Sequence, residues 1–492
     1  MNDLSLLQKK RLKYKPTLPK LLIDLEKVQF RKIDSKSPLK DLENLFPNTF
    51  SLPAYELVSG QGTHKPLKIG VVFSGGTAAG GHNVICAIFD TGAKVIGFLN
   101  GPSGIVENQS REIKDVSLYR NQGGFDLIGT GRTKIETEEQ FAASLKTVTE
   151  HKLDGLVIIG GDDSNTNAAL LAEYFLKAGC TTKVVGIPKT IDGDLRTDEI
   201  EISFGFDSAC KTYAELIGNI ERDALSTKKY YHFIKLMGRS ASNIVLECAL
   251  ATRPNLALIS EEKRGLDGII EEIVNLVIER NAAGKDYGVI LIPEGLIEFV
   301  PELNEMAKEL NLEKDPHGNV QVSKIQTEKM IIDLVEKELA KKNFKGKFNV
   351  QGHFFGYEGR SCMPTNFDAT YCYALGTLAA LCIREELTGV ICSIQNLSKD
   401  PESWTLKAVP IIQLMHIETR LGKQKPVIQK ALVDVNGTSF IYFAAQRKRW
   451  QIEDQYCYPG PIQYFGDPDL CDLAPQIVTD IQKPHASTSD SS

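Results

Sequence analysis

From Leu67 onward, short apolar runs alternate with segments that carry helical spacing. The segments 82–92 and 165–179 have helical spacing and separate neighbouring runs. This alternation is typical of a parallel sheet covered by helices on both faces, so an α/β fold is predicted. Each of the first four apolar runs ends in a Gly- or Asp-rich loop: "LKIGVVFSGG", "AKVIGFLNGPSG", "DGLVIIGGDDS" and "TKVVGIPKTIDGD".

A second series of such units runs from about residue 205 to residue 352 and includes the apolar run "YGVILIPEG". The charged stretch 303–344 is predicted to be a helical insertion, with "KMIIDLVEKELAKKN" as its clearest amphipathic part. Residues 1–66 are interpreted as an N-terminal extension in which segment 18–30 forms a helix or strand. The polar end "HASTSDSS" is predicted to be disordered.

Composition narrows the classes of function. The 492 residues carry a formal net charge of -6 without a long basic run, so no nucleic-acid partner is expected. No stretch reaches the ~18 consecutive apolar residues of a membrane span, and the first residues lack the apolar core of a signal peptide. The ten cysteines form no C-x-x-C pair, which indicates reduced thiols in a cytoplasmic protein.

Candidate chemistry lies in the loops that follow the strands, because ligands of open parallel sheets bind at the carboxyl ends. The first loop, Ser74–Asn83, has glycines that let backbone N–H groups approach phosphate oxygens. The alternative is a tight turn that packs strand against helix. The second loop, Gly129–Lys134, contains Arg132, which offers a bidentate fork to phosphate or is a solvated surface arginine.

The third and fourth loops are rich in carboxylates. Asp162 and Asp163 are adjacent, and such a pair is costly unless a cation compensates, Mg²⁺ being suited to this role. Helix capping is the alternative interpretation. In the loop 188–194, a carboxylate could accept the proton of an attacking sugar hydroxyl, while Lys189 supplies charge for the transferred phosphoryl group. An Asp-Gly turn explains only part of this loop.

Three later segments have donor and acceptor groups suited to a phosphorylated sugar. They are Met237–Arg239, Pro293–Gly295 and Tyr357–Arg360. Two arginines can hold a phosphate, and Glu294 can accept sugar hydroxyl protons. Each segment alone carries little information, and their value lies in their order and spacing.

Taken in order, these motifs resemble the phosphofructokinase family, specifically its long pyrophosphate-dependent branch. The resemblance covers roughly residues 67–395 and rests on "SGGTAAGGHN", "GGDDSNTNA", "PKTIDGD", "KYYHFIKLMGR", "PEG" and "GYEGR". It implies two Rossmann-like α/β/α domains with the active site between them. The implied domains are a diphosphate- and Mg²⁺-binding domain (67–204 plus about 353–398), a sugar-phosphate domain (205–352 plus about 399–470) and a C-terminal tail (471–492).

The resemblance also implies roles for individual residues. Gly76 and Arg132 would bind diphosphate, Asp162 would bind Mg²⁺, and Asp192 would be the general base on the sugar 1-hydroxyl. Lys229 and Tyr230 resemble positions that reach the sugar site of a neighbouring subunit, which implies a homodimer or a higher homo-oligomer. The remaining sugar-phosphate residues would be Thr190, Ile191, Asp194, Met237, Gly238, Arg239, Glu294, Tyr357, Glu358, Gly359 and Arg360.

Two residues bear on the phosphoryl donor. ATP-dependent relatives have Gly where this chain has Asp163, whose charge and volume oppose the α-phosphate of a nucleotide. Members of the pyrophosphate branch use a lysine at the position of Lys189. The expected reaction is the reversible, glycolytic transfer of a phosphoryl group from diphosphate to the 1-hydroxyl of fructose 6-phosphate, giving fructose 1,6-bisphosphate and phosphate.

Other functions remain as alternatives at this point. An ATP-dependent 6-phosphofructokinase is the nearest, and Asp163 argues against it. A non-catalytic regulatory subunit should have lost carboxylates such as Asp162 and Asp192, which are present. A nicotinamide-dependent dehydrogenase would need an acidic residue after the second strand, which instead ends in "GFLNGPSG". Sedoheptulose 7-phosphate stays open as a second sugar phosphate substrate.

Overall fold

A computed structural model describes residues 4–63, 65–309, 324–420, 423–461 and 474–478. Part of the predicted helical insertion, most of the predicted C-terminal tail and the whole segment predicted to be disordered lie outside these residues. The strands are β1 (Val28–Ile33), β2 (Ala54–Ser59), β3 (Lys68–Phe73), β4 (Lys94–Phe98), β5 (Ser110–Ile113), β6 (Gly155–Gly160), β7 (Lys183–Pro188), β8 (Tyr231–Leu236), β9 (Leu256–Ala257), β10 (Gly288–Pro293), β11 (Val350–Phe355), β12 (Val390–Gln395), β13 (Thr405–Pro410), β14 (Met415–Arg420) and β15 (Lys423–Ile428).

Helices follow most of the strands, as the alternating pattern predicts. The two parts of the insertion that are described are both helical. The helices are α1 (Leu6–Arg11), α2 (Gly81–Asp90), α3 (Ser103–Val106), α4 (Glu138–Glu150), α5 (Asp162–Lys177), α6 (Phe206–Thr227), α7 (Asn243–Thr252), α8 (Leu266–Ala282), α9 (Leu296–Phe299), α10 (Pro301–Glu309), α11 (Thr327–Lys341), α12 (Asn366–Arg384) and α13 (Thr438–Ile452).

The larger sheet has, over the described residues, nine strands in the order β1-β2-β13-β12-β7-β6-β3-β4-β5. Its centre, from β12 to β4, is parallel, and the strands toward both edges pair antiparallel. Helices α2 and α12 contribute to the hydrophobic core on one face, and α4 and α5 contribute to the core on the other. This burial on both faces explains why β3, β6 and β7 are nearly continuous apolar runs.

The smaller sheet has, within the described chain, the parallel order β11-β8-β10-β9. Its residues Ile234 and Leu291 share a core with Ile217 of α6, whereas Phe233 and Ile290 share a core with α8 and α11 on the other face. The predicted α/β class, with two parallel-rich sheets covered by helices, is therefore confirmed.

The strands depart from the predicted domain boundaries in two regions. β1 and β2 come from the predicted N-terminal extension, yet they belong to the larger sheet, where Glu56 and Tyr55 of β2 pair with Lys407 and Ala408 of β13. β13 lies within about 399–470, a range predicted to belong to the sugar-phosphate domain, yet it is also part of the larger sheet. The physical reason is that β2 pairs antiparallel with β13, which lies far along the chain, and such a pairing leaves no local sequence signal.

The start of α6 packs directly against the loop after β3. Gly205 has φ +93°, and a Cβ built there would lie only 2.5 Å from the Cβ of Ala78. The buried Asp368 carboxylate of α12 accepts hydrogen bonds from Gly205 N (3.0 Å), Ser208 N (2.9 Å) and Ser208 Oγ (2.6 Å). Burial and the neighbouring Asp207 raise the pKa of Asp368 to about 7. These contacts connect α12 with α6.

Replacing Asp368 by Ala is expected to lower the free energy of unfolding by about 3 kcal/mol, because three buried donors lose their acceptor. Urea denaturation of the purified protein measures the change. Asp333→Ala is the control, since Asp333 is exposed on α11. Equal stability of the two variants would contradict the structural role of Asp368.

Candidate active site

One edge of the larger sheet brings together the loop after β3, the loop after β6 and the segment 129–134. Gly75 N donates to Gly131 O at 2.8 Å, and Thr130 Oγ1 donates to Gly75 O at 2.7 Å. Ser164 Oγ, on the first turn of α5, donates to Ser74 Oγ at 2.8 Å. Three of the predicted site loops therefore form one hydrogen-bonded unit at the carboxyl ends of the strands.

Three cations converge on Gly76. Lys189 Nζ donates to Gly76 O at 2.8 Å. A Cβ built on Gly76 would lie 3.0 Å from Arg360 Nη2 and 3.7 Å from Arg132 Nη2. The absence of a side chain at Gly76 leaves its backbone open to these groups. An anion with several oxygens, such as a phosphate group, would relieve the repulsion among the three cations.

Burial and, second, electrostatic repulsion lower the pKa of two of these cations. Burial lowers the pKa of Lys189 to about 8, and the charge of Arg132 adds to this shift. Desolvation, followed by repulsion from Arg239 and Arg360, lowers the pKa of Arg132. Arg239 belongs to the loop after β8, so cations from both sheets face the same space. A bound phosphate group would compensate the positive charge of all four side chains.

The loop after β7 is a turn held by its own side chains. Thr190 Oγ1 donates to Asp194 Oδ1 at 3.0 Å and accepts from Asp192 N at 3.1 Å. Gly193 has φ +68°, and a Cβ there would lie 2.8 Å from the ring of Phe206. The loop therefore bends at residues 191–193, and it presents two carboxylates at the site.

Asp192 lies where the two sheets face each other. Burial raises its pKa, and the nearby Glu294 raises it further. Arg239 acts in the opposite direction, through its charge and through a hydrogen bond from its backbone N–H to the carboxylate. A partly desolvated carboxylate of this kind is a stronger proton acceptor than an exposed one, provided that it is ionised.

Asp162 and Asp163 occupy the first turn of α5 but differ in environment. Burial raises the pKa of Asp162, with smaller contributions from Asp194 and Asp163, and Lys430 opposes the shift. Asp163 is exposed and pairs with Lys134 Nζ at 3.2 Å. Within the described part of the chain, no three carboxylate, imidazole or thiol groups lie close enough to hold a metal ion. Mg²⁺ bound to substrate phosphates needs only one or two protein carboxylates.

The sugar-side loops meet at the carboxyl end of the smaller sheet. The buried Glu294 accepts a hydrogen bond from Gly238 N at 2.9 Å, and burial raises its pKa. A Cβ built on Gly356 would lie 3.0 Å from Met237 Cε, so this side chain touches the loop that carries Arg360. The guanidinium of Arg360 stacks over the exposed Tyr357 ring, 5.0 Å from its centroid. The structure thus brings Met237, Gly238, Glu294, Tyr357 and Arg360 together.

The side chains of several predicted substrate-binding residues do not have the contacts that the motifs predict. Ile191 has its side chain in the hydrophobic core at 7% exposure, so only its backbone could contact a ligand. Glu358 accepts from Gly356 N at 2.7 Å and so stabilises its own loop. Gly359 packs against the ring of Tyr213. Arg360, predicted for the sugar phosphate, reaches Gly76 and can therefore contact the diphosphate.

Lys229 and Tyr230 are remote from this cluster within one chain. They precede β8, whereas Met237 follows it, and six residues of strand span about 20 Å. The Lys229 ammonium lies 5.0 Å from the centroid of the Tyr230 ring. If these residues contribute to a sugar site, it must be that of another subunit.

Sequence reasoning missed two lysines. Lys134 lies at the end of the loop 129–134, where its residue type alone indicates no role, and Lys430 lies outside every motif. Lys430 Nζ donates to Ser240 Oγ at 2.8 Å and lies 3.9 Å from Asp194 Oδ2. No motif surrounds Lys430 in "VIQKALVDV", so only the tertiary structure could reveal it.

Comparison with known proteins identifies the family of this chain. The phosphofructokinase sequence profile matches residues 68–383. The chain belongs to the phosphofructokinase family. It is 46% identical to the pyrophosphate–fructose 6-phosphate 1-phosphotransferase of Entamoeba histolytica, over 96% of this chain and 98% of that protein. It is 44% identical to the enzyme of the same name from Treponema pallidum, over 99% of both chains.

A plant relative agrees with the family, and solved structures agree with the fold. The subunit beta 2 of the Arabidopsis thaliana enzyme is 48% identical over 92% of this chain and 90% of its own length. The pyrophosphate-dependent phosphofructokinase from Nitrosospira multiformis superposes with a TM-score of 0.58 at 16% identity, over 83% of this chain and 96% of that one. The Pichia pastoris phosphofructokinase in the T-state gives 0.53 at 20% identity over 72% of this chain, which spans only 36% of that longer protein. The predicted phosphofructokinase fold is confirmed.

No helix in the described residues of this phosphofructokinase-family chain is long and apolar enough to cross a membrane. The nine described cysteines are all free, and six of them are buried.

Proposed function

We propose that this phosphofructokinase-family chain catalyses the reversible transfer of a phosphoryl group from diphosphate to the 1-hydroxyl of fructose 6-phosphate. The products are fructose 1,6-bisphosphate and phosphate, the activity classified as EC 2.7.1.90 and a step of glycolysis. Relatives that are 44% and 46% identical over nearly their whole length carry this activity in their names. The observation that carries the proposal is the cluster of Lys189, Arg132 and Arg360 around Gly76, together with the nearby Asp192.

The proposed step is an in-line displacement at one phosphorus of diphosphate. The sugar 1-oxygen forms a bond to phosphorus, its proton passes to Asp192, and the bridging P–O bond breaks with its electrons leaving on phosphate. Lys189, Arg132 and Arg360 neutralise the charge that develops on the phosphoryl oxygens. Most of the acceleration then comes from positioning and charge neutralisation.

We also propose that Asp162 binds Mg²⁺ together with the diphosphate. The residues fit, because Asp162 and Asp194 repel each other and an added cation would stabilise both in their ionised forms. Bound Mg²⁺ would neutralise and orient the two phosphates. The Asp162→Asn variant should bind Mg²⁺–diphosphate more weakly in calorimetry, and unchanged binding would contradict this assignment.

Asp163 is proposed to set the donor. Its carboxylate, paired with Lys134, lies at the start of α5 next to Asp162. The deciding experiment compares diphosphate with ATP, using purified protein, Mg²⁺ and fructose 6-phosphate, and then runs the reaction in reverse with phosphate and fructose 1,6-bisphosphate. Turnover with diphosphate in both directions supports the proposal, and turnover with ATP alone refutes it.

A second copy of the chain is proposed to complete the sugar site. The support is that Lys229 and Tyr230 lie at the end of β8 opposite to Met237. Mixing an inactive Asp192→Ser protein with an inactive Lys229→Ala protein should restore activity, because hybrid oligomers contain one intact site. Light scattering that gives only monomers would refute this assembly.

We further propose a cytoplasmic location. It is supported by the cysteines of the described residues, which are all free, and cell fractionation would test it.

The dependence of kcat/KM for diphosphate on pH is expected to be bell-shaped. Activity should rise as Asp192 ionises, at a pH above the usual range because its pKa is raised. It should fall as pH increases through about 8, where Lys189 loses its proton and its charge. Initial rates of wild type and Lys189→Arg give the test, because a guanidinium does not titrate in this range. If the decrease of kcat/KM at high pH came from the titration of diphosphate itself, it would appear in both proteins. An identical alkaline limb of the two pH profiles would therefore contradict the role of Lys189.

A further inference from the structure

We propose that Lys430 is a positioning residue for phosphoryl transfer, which holds the carboxylate loop after β7 against the sugar-side loop after β8. This inference rests on the function proposed above and adds a residue to that site. Lys430 Nζ donates to Ser240 Oγ at 2.8 Å and lies 3.9 Å from Asp194 Oδ2. Ser240 follows Arg239 in the loop after β8, whereas Asp194 belongs to the loop after β7. One ammonium group therefore connects loops from the two sheets.

The backbone around Lys430 is fixed on both sides of this junction. Ala431 N donates to Asp194 O at 2.7 Å, and Asn243 Nδ2 on α7 donates to Ala431 O at 3.3 Å. Val433 N donates to Glu261 Oε1 at 3.0 Å, in a buried environment. These contacts fix the backbone next to the position from which the Lys430 side chain reaches Ser240 and Asp194.

Lys430 is also a counter-charge to both carboxylates of the loop after β7. Its charge lowers the pKa of Asp192 and Asp194, in each case against the effect of burial, which raises it. Only about a third of the Lys430 side chain is exposed (33%), so water screens this interaction incompletely. The charge of Lys430 therefore favours the ionised form of the proposed base.

Other charged groups also face Asp192, and the effect of Lys430 must be separated from theirs. Glu294 and Asp194 are acidic, and the guanidinium of Arg239 is another cation that lowers the pKa of Asp192. Removal of Lys430 leaves these groups in place. The titratable and charged groups that interact with Asp192 are Glu294, Asp194, Arg239, Lys430, Lys189, Arg132 and Tyr213.

The experiment measures kcat and KM for diphosphate and fructose 6-phosphate between pH 5 and pH 9 in wild type, Lys430→Met and Lys430→Arg. We expect Lys430→Met to lower kcat by about tenfold to a hundredfold, with the acid limb of the kcat profile moved to higher pH, because Asp192 loses a neighbouring cation. The KM for diphosphate should change much less than kcat. Lys430→Arg should restore most of the rate and the position of the acid limb.

Lys425→Met is the matched control, since Lys425 lies on the neighbouring β15 and forms an exposed ion pair with Glu136 at 3.2 Å. It should behave as wild type. If Lys430→Met fails to fold, Lys430→Gln takes its place in the same measurements. A folded Lys430→Met or Lys430→Gln protein with wild-type kcat and an unmoved acid limb overturns the inference. Wild type without turnover of diphosphate refutes the proposed function, and the role of Lys430 falls with it.

Discussion

Replacing Asp192 by Ser is expected to lower kcat by about two to four orders of magnitude while the protein stays folded. The reason is that the 1-hydroxyl of the sugar must lose a proton as it attacks phosphorus, and Ser cannot accept it at neutral pH. The Asp192 carboxylate has the raised pKa expected of a desolvated base, and a backbone N–H of Arg239 orients it. Initial rates with saturating diphosphate and fructose 6-phosphate measure the loss.

Asp198→Ser is the control for this experiment, because Asp198 is an exposed aspartate six residues further along the same segment. It should keep the wild-type rate. Thermal midpoints of both variants show whether a loss of rate reflects unfolding. A folded Asp192→Ser protein with a near-wild-type kcat would remove Asp192 from the role of base.

Replacing Asp163 by Gly is expected to raise the ratio of kcat/KM for ATP to kcat/KM for diphosphate by about tenfold to a thousandfold. A like charge a few ångströms from a nucleotide phosphate costs about 1–4 kcal/mol at a partly exposed site. Lys134 Nζ lies 3.2 Å from the Asp163 carboxylate and loses this acidic partner in the variant. Its ammonium group can then bind a phosphate. Parallel assays with the two donors give the ratio.

Asp163→Asn separates charge from volume in this experiment. If charge excludes the nucleotide, the Asn variant should behave like the Gly variant. If volume matters more, only the Gly variant should accept ATP. An unchanged donor ratio in both variants would contradict the assignment of Asp163 as the residue that sets the donor.

The fold class was predictable because its signal is local. Buried parallel strands must be apolar throughout, and β3, β6 and β7 can be recognised as short runs for that reason. The place of β1 and β2 in the larger sheet was not predictable, since β1 pairs with β2 and β2 joins the sheet through the distant β13. Their half-exposed sequences resemble those of many loops and surface strands.

The candidate site was predictable as a set of loops but not as a set of contacts. The motifs around Gly76, Asp162 and Asp192 could be identified from residue types that phosphate and proton chemistry require. The direction of each side chain within a motif could not, as the buried Ile191 and the reach of Arg360 to Gly76 illustrate. Those directions depend on packing against other loops.

The sequence by itself determined the α/β alternation, the resemblance to the phosphofructokinase family and the acidic and glycine-rich loops, because each depends on residues close together in the chain. Only the tertiary structure decided that Lys430 stands among the carboxylates and that three cations surround Gly76. It also decided that Lys229 and Tyr230 lie away from the site of their own chain. The contacts of Lys430 and those around Gly76 join residues from different loops, more than fifty positions apart in the chain, and local propensity carries no information about such contacts.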